Sequence, residues 1–342
     1  MREDRIMSKK ILVLLAVLAV LVFFLGLNPL EASPQGKVKH EETFAKTESL
    51  SRDGKVEIRN ISGDVEVKTW DRDEVKIDAL KTSRATSKEK AKENATKVKI
   101  EVTRENGILM VKTKYPKPSI KGLNVSVDFK VMIPSQATIN AKSVSGDVTL
   151  EKIGGKATAE TTSGDVTVLG ARSGANAETV SGDVEVADVQ NGVYCKTASG
   201  NIDAKNITGN ADLACVSGDV TAENIRGAVE ADTVSGSVKL LGISDADVVK
   251  GKTMSGNTIY HGDISSTGRY ALEAHSGNVE ITIPSGSAFD LTASTFSGTI
   301  KTEFEVMMSG KLSKKKISGS VNGGGADVKL KTFSGNIILK KK

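Results

Sequence analysis

Aromatic residues make up only 4% of this 342-residue chain: one tryptophan, four tyrosines and eight phenylalanines. So few large side chains suit a narrow core filled by Val, Ile, Ala and Thr. Cysteine is limited to Cys195 and Cys215. Neither lies near the apolar N-terminus, which removes lipoprotein attachment. The three histidines, His40, His261 and His275, show no metal-ligand spacing. Gly-x-Ser-x-Gly is missing, so no serine sits in a nucleophile elbow. The Gly-Gly-x-Gly-x-Asp signature of calcium-binding β-rolls is missing too. The formal charge of +5 is modest, and no nucleic acid, cofactor or metal is expected as a partner.

What the chain has in abundance is a repeat. Ser-Gly recurs at Ser145, Ser163, Ser181, Ser199, Ser217 and Ser235, each step 18 residues, then at Ser255, Ser276, Ser297 and Ser334. A fixed short period means structural units stacked on their neighbours. It also argues against an enzyme, since one reaction has no need of ten near-copies of a site. A second glycine falls about midway (Gly155, Gly174, Gly192, Gly209, Gly227), giving each period two corners and two extended segments. After each corner the residues alternate: Val148, Val166, Val184 and Ile202, then Leu150, Val168, Val186 and Ala204, with Thr149, Thr167, Glu185 and Asp203 between them. That is the period of a strand with one buried face. A threonine column (Thr161, Thr179, Thr197, Thr233) precedes the corner. The expected fold is all-β: a parallel β-solenoid, or β-helix, of about ten coils of 18–21 residues. At about 4.8 Å per coil it forms a rod on the order of 50 Å long.

Residues 1–32 read as a signal peptide or an N-terminal membrane anchor. Arg2, Arg5, Lys9 and Lys10 precede an unbroken apolar run from Ile11 to Leu25. Basic residues ahead of the run mean that the rest of the chain is exported, with membrane attachment through this segment if it is uncleaved. Residues 33–140 read as an irregular β cap that shields the open end of the stack. It holds one early motif copy (Ser62-Gly63-Asp64) and one short helix at Ser87–Thr96 with Ser87 as N-cap. Residues 141–342 form the solenoid proper. Its C-terminal coils are lysine-rich, with ten lysines from Lys301 to Lys342 against Glu303, Glu305 and Asp327. That end is expected either to protect a terminal edge strand or to meet anionic surfaces.

The serial Ser-Gly-Asp-Val motifs, the stretch from Gly63 to Asp71, the Val131–Pro134 entry and the closing Gly323–Ile337 segment resemble the bacterial "putative adhesin" family. These are exported β-strand-repeat proteins classed as a domain of unknown function. The resemblance covers nearly everything after Val56. It implies a cell-envelope location and an adhesin-like role, and it brings no catalytic residues.

Candidate chemistry is weighed against the repeat itself. Asp147, Asp165, Asp183 and Asp219 suggest a metal, but the same column becomes Asn201, Ser237, Asn257 and Thr299. Those types share the ability to accept a backbone N–H hydrogen bond in a turn, so turn-making is the better reading. His275 reads as a corner packing residue, and the outward columns show no aromatic stripe. Cys195 and Cys215 read as buried small residues, with a disulfide left open. No catalytic, cofactor or metal residue is assigned. The expected function is a non-catalytic, exported binding or structural surface of the cell envelope, its partner an envelope polymer or protein. The alternatives are a polysaccharide-active β-helix enzyme and an end-to-end self-assembling scaffold.

Overall fold

The computed structural model describes residues 37–308 and 313–342; the segment read as signal peptide or anchor lies outside them. Among the described residues no helix is long and apolar enough to cross a membrane. The described chain is almost entirely β, as the alternation requires. Each 18-residue period forms one coil. A strand runs into the Ser-Gly corner, a second strand leaves on the opposite side, and a second corner returns the chain. Equivalent strands pair parallel and in register: Val166 lies beside Val148 and Val184, and Ala159 beside Ala141 and Ala177. The result is two facing sheets, of 14 and 15 strands, which we call the A sheet (after the corner) and the B sheet (before it).

The inner faces carry the small and β-branched columns. Val148, Val166 and Val168 are fully buried, as are Ala157, Ala159 and Ala177 on the opposing sheet. Cohesion thus comes from many shallow contacts between neighbouring coils and not from a few large side chains. The A-sheet strands contain a device the sequence reading missed. Lys152, Asp188, Asn206 and Asn224 have φ between 54° and 58°, and Gly170 and Gly242 occupy the same column. A left-handed residue there breaks the alternation. Two outward residues follow one another, and the next (Ile153, Ala171, Val189 or Ile207) returns to the core. Asn, Asp and Gly tolerate this conformation best, which explains the mixed composition of the column.

At the N-terminal end the elements are β1 (Val38–Ser49), β2 (Lys55–Arg59), β3 (Val65–Trp70), β4 (Glu74–Ala85), α1 (Lys88–Lys97), β5 (Lys99–Glu105), β6 (Ile108–Lys114) and β7 (Val125–Pro134). β2 and β3 form a regular coil, with Ser62 bridged to Ser145. β7 and β6 lie parallel on that coil; β4, β1 and β5 then add antiparallel and end the parallel stack. β1 was not anticipated, because its residues are mostly polar or charged and no apolar alternation marks it. Ser87 caps α1 as expected, its hydroxyl accepting from the Lys90 N–H at 3.2 Å. The helix buries Ala91 and Ala95 against β1 and β4.

The C-terminal end departs from sequence order. The strand Ala326–Ser334 inserts between Arg269–Ser276 and Phe289–Ser297, pairing in parallel with both. The strand Ile337–Lys341 does the same in the A sheet, between Val279–Ile283 and Ile300–Thr302. The last coil of the chain is therefore the penultimate coil of the stack. Lys316–Val321 and Met307–Met308 close the B sheet antiparallel.

Both cysteines are buried free thiols. They are offset along the strands, Cys195 lying beside Leu213 and Cys215 beside Thr197. Burial raises the pKa of each thiol.

Candidate binding surface

Two ladders of side-chain hydrogen bonds flank the Ser-Gly corner and hold its residues in line. On the inner side, Thr161, Thr179 and Thr197 donate their hydroxyls to the carbonyls of Gly146, Gly164 and Gly182 in the preceding coil, at 2.9–3.0 Å. Cys215 takes the same seat, its thiol 3.1 Å from the Gly200 carbonyl oxygen. On the outer side runs the aspartate column. The Asp147 carboxylate accepts from the Asp165 N–H, Asp165 from Asp183, and Asp183 from Asn201, at 2.7–2.8 Å. Asn201 then accepts from Asp219 at 3.0 Å and Asp219 from Ser237 at 2.8 Å. The expected hydrogen bond is present, but it joins each coil to the next and not the residue to its own turn. One carboxylate oxygen of each aspartate is thereby engaged. No group of His, Cys, Asp and Glu that could hold a metal ion occurs among the described residues.

Between the ladders, the residue just before each Ser points outward. In spatial order this column reads Ile61, Val144, Thr162, Val180, Ala198, Val216, Val234, Met254, His275, Phe333, Phe296. All eleven are exposed or half-exposed, Phe296 most of all at 72%. The insertion of the last coil places Phe333 between His275 and Phe296. The His275 and Phe333 rings stack with centroids 4.9 Å apart and planes 9° apart; Phe333 and Phe296 stack at 4.7 Å and 6°. This corrects two readings of the sequence. His275 is exposed on the surface, and the outward columns do contain an aromatic stripe. It was illegible because Phe333 is remote in sequence from both of its neighbours.

Near the other end the same column borders a shallow groove of about 420 Å³ on the B sheet, lined by Lys142, Glu160, Glu178, Lys196 and Arg59. Lys142 and Glu160 form an ion pair at 2.8 Å. Partial burial raises the Glu178 pKa, and the neighbouring Glu160 adds to the rise against the pull of Lys196 and Lys142. Acids and bases gather here. They follow the rungs of an open sheet face, with residues such as Thr162, Val180 and Ala198 filling the spaces between.

No curated protein matches the chain at a significant level. Among solved structures, one described as a "putative adhesin" from Bacteroides fragilis is 11% identical, covering 87% of this chain and 97% of its own, with a TM-score of 0.33. One described as a "putative lipid binding protein" from Parabacteroides distasonis is 15% identical, covering 88% and 97%, at 0.34. One described as a "putative cell adhesion protein" from Clostridium sporogenes is 10% identical, covering 88% and 100%, at 0.21. The model of the Toastrack DUF4097 family matches residues 54–264 and again 243–340. The chain belongs to the Toastrack DUF4097 family.

Proposed function

We propose that this protein is an exported, non-catalytic component of the cell envelope whose solenoid presents one long corner as a binding surface. The observation that carries the reading is the unbroken outward column from Ile61 to Phe296, held in line on both sides by the hydrogen-bond ladders. A lattice of repeated, half-exposed positions suits a polymer or an extended protein better than a small molecule, which needs a concave and largely enclosed site. Antiparallel strands terminate both sheets at the N-terminal end and the B sheet at the C-terminal end, where the A sheet finishes on the parallel strand Ile300–Thr302, so a second copy cannot continue both sheets in parallel register. That speaks against the end-to-end scaffold.

The test is affinity capture of envelope components from the native cell, followed by coil deletions and grouped substitutions along the column. Binding should weaken stepwise as rungs are lost. A single substitution that abolishes it would indicate a discrete pocket instead. Turnover of an envelope polysaccharide that disappears in Glu178→Gln would establish an enzyme and overturn the reading. Export is tested separately by fusing residues 1–40 to a reporter active only outside the cytoplasm; a silent reporter refutes it.

A further inference from the structure

The charge of this chain is concentrated at one end. Residues 285–342 contain ten lysines against Asp290, Glu303, Glu305 and Asp327, a formal +6, so the remaining chain is close to neutral within a total of +5. The fold sorts these lysines. Along Ala326–Ser334 the residues alternate, with Val328, Leu330 and Thr332 inward and Lys329, Lys331 and Phe333 outward. Lys316 sits opposite Ser294 on the neighbouring strand, on the face that carries Phe296 two residues further on. The Lys315 ammonium donates to the Gly298 carbonyl beside Phe296, at 2.6 Å. Lys331 and Lys316 make no ion pair among the described residues. The column flanking the aromatic rungs on the other side is neutral there (Asn257, Asn278, Asn336, Thr299), whereas further along it is carboxylate.

We propose that this end of the solenoid is a docking patch for an anionic phospholipid surface, with Phe296 and Phe333 entering the headgroup–acyl boundary and Lys315, Lys316 and Lys331 meeting the lipid phosphates. The inference deepens the binding-surface reading and rests on it. Exposed aromatic side chains beside unpaired lysines combine the two attractions that hold a protein at a membrane interface, burial of apolar area and electrostatic attraction to anionic lipid. The ring geometry separates this occupant from a carbohydrate. His275, Phe333 and Phe296 lie face to face, so both faces of Phe333 and one face each of His275 and Phe296 are already covered against a sugar. A soluble anionic polymer would use the lysines and leave the phenylalanines in water.

The test uses the full chain carrying Phe296→Trp, whose one other tryptophan, Trp70, lies in the N-terminal coil. The probe is phosphatidylcholine vesicles with brominated acyl chains, with and without phosphatidylglycerol. The tryptophan at position 296 should be quenched on the anionic vesicles and not on the neutral ones, while Trp70 is unquenched in either. Each of Lys315→Gln, Lys316→Gln and Lys331→Gln should weaken the anionic-dependent quenching about fivefold, and added salt should weaken it further. Attachment through residues 1–32 alone would give binding to both vesicle types with no quenching at 296, which overturns the proposal. So would complete competition by soluble polyglycerol phosphate with no quenching, since the ligand would then be a polymer. A working export reporter alongside either result would leave the envelope reading standing.

Discussion

Gly200→Ala should be among the most damaging single-methyl additions available in this fold. Gly200 has φ of 140°, a conformation that residues bearing a Cβ rarely adopt. A methyl group placed there would lie 2.0 Å from the Gly182 carbonyl oxygen and 2.5 Å from its carbon. Relief requires the two coils to part by about 1 Å at the corner, to restore an ordinary contact of about 3.0 Å or more. That same Gly182 carbonyl accepts the buried Thr197 hydroxyl at 3.0 Å, and one residue on the Asn201 N–H donates to Asp183 at 2.7 Å. Backbone strain of about 1–3 kcal/mol and the weakening of these two bonds, at about 1 kcal/mol each, give a total of about 3–5 kcal/mol. Urea denaturation followed by far-UV circular dichroism measures it. The control is Gly107→Ala, where φ is 78° and nothing lies within 4 Å of the new methyl; strain alone predicts about 1–2 kcal/mol there. Equal losses at the two positions would show that φ and not the close approach of coils governs the corner. A loss below about 1 kcal/mol at Gly200 would refute the reasoning altogether.

Three further outcomes are expected. Val184→Asp puts a carboxylate into the narrow core and should cost several kcal/mol, whereas Thr167→Lys, one residue from an inward position, should stay within about 0.5 kcal/mol in the same assay. Asp165→Asn should leave stability unchanged or slightly higher, since the amide oxygen still accepts from Asp183 and one of five stacked charges (Asp128, Asp64, Asp147, Asp165, Asp183) is removed; Asp165→Leu should cost about 1 kcal/mol. Millimolar calcium should not raise the melting temperature of the wild type, and a rise growing with free metal would reinstate the metal reading. Glu178→Gln should raise the melting temperature at pH 7. The folded state holds the Glu178 pKa above its ordinary value, so the ionised side chain opposes folding at neutral pH, and that penalty fades as pH falls below the carboxylate range. A gain that persists at pH 3 would assign the effect to packing instead.

The parts of the fold legible in the sequence are those set by local chemistry repeated many times. Val166 and Val168 alternate with Thr167 because a half-buried strand demands it, and Ser87 caps a helix by the same hydroxyl geometry found in any helix. The aspartate column was half legible. Its exchange for Asn and Ser correctly indicated an acceptor of N–H hydrogen bonds, yet a single coil cannot show that the donor belongs to the next one. Which coils become neighbours was not legible where the order changes. The Ser276, Ser297 and Ser334 corners carry the same signals, so nothing local says that the third lies between the other two. The aromatic stripe was lost with it, because Phe333 joins His275 and Phe296 only through that insertion.

The position of the final coil bears on how the chain is built during synthesis. Coils from Ser145 to Ser276 can be laid down one upon another as they leave the ribosome, each new turn finding its template already in place. The Ser297 coil cannot follow suit, because the rung it finally rests on is encoded by residues that emerge after it. Until then its B-sheet strand has only the antiparallel Lys316–Val321 for a partner, or it settles on the Ser276 coil and is later dislodged. Completion of this protein is therefore an act of intercalation, and a chain that stops before Ala326 loses an interior rung and not an end.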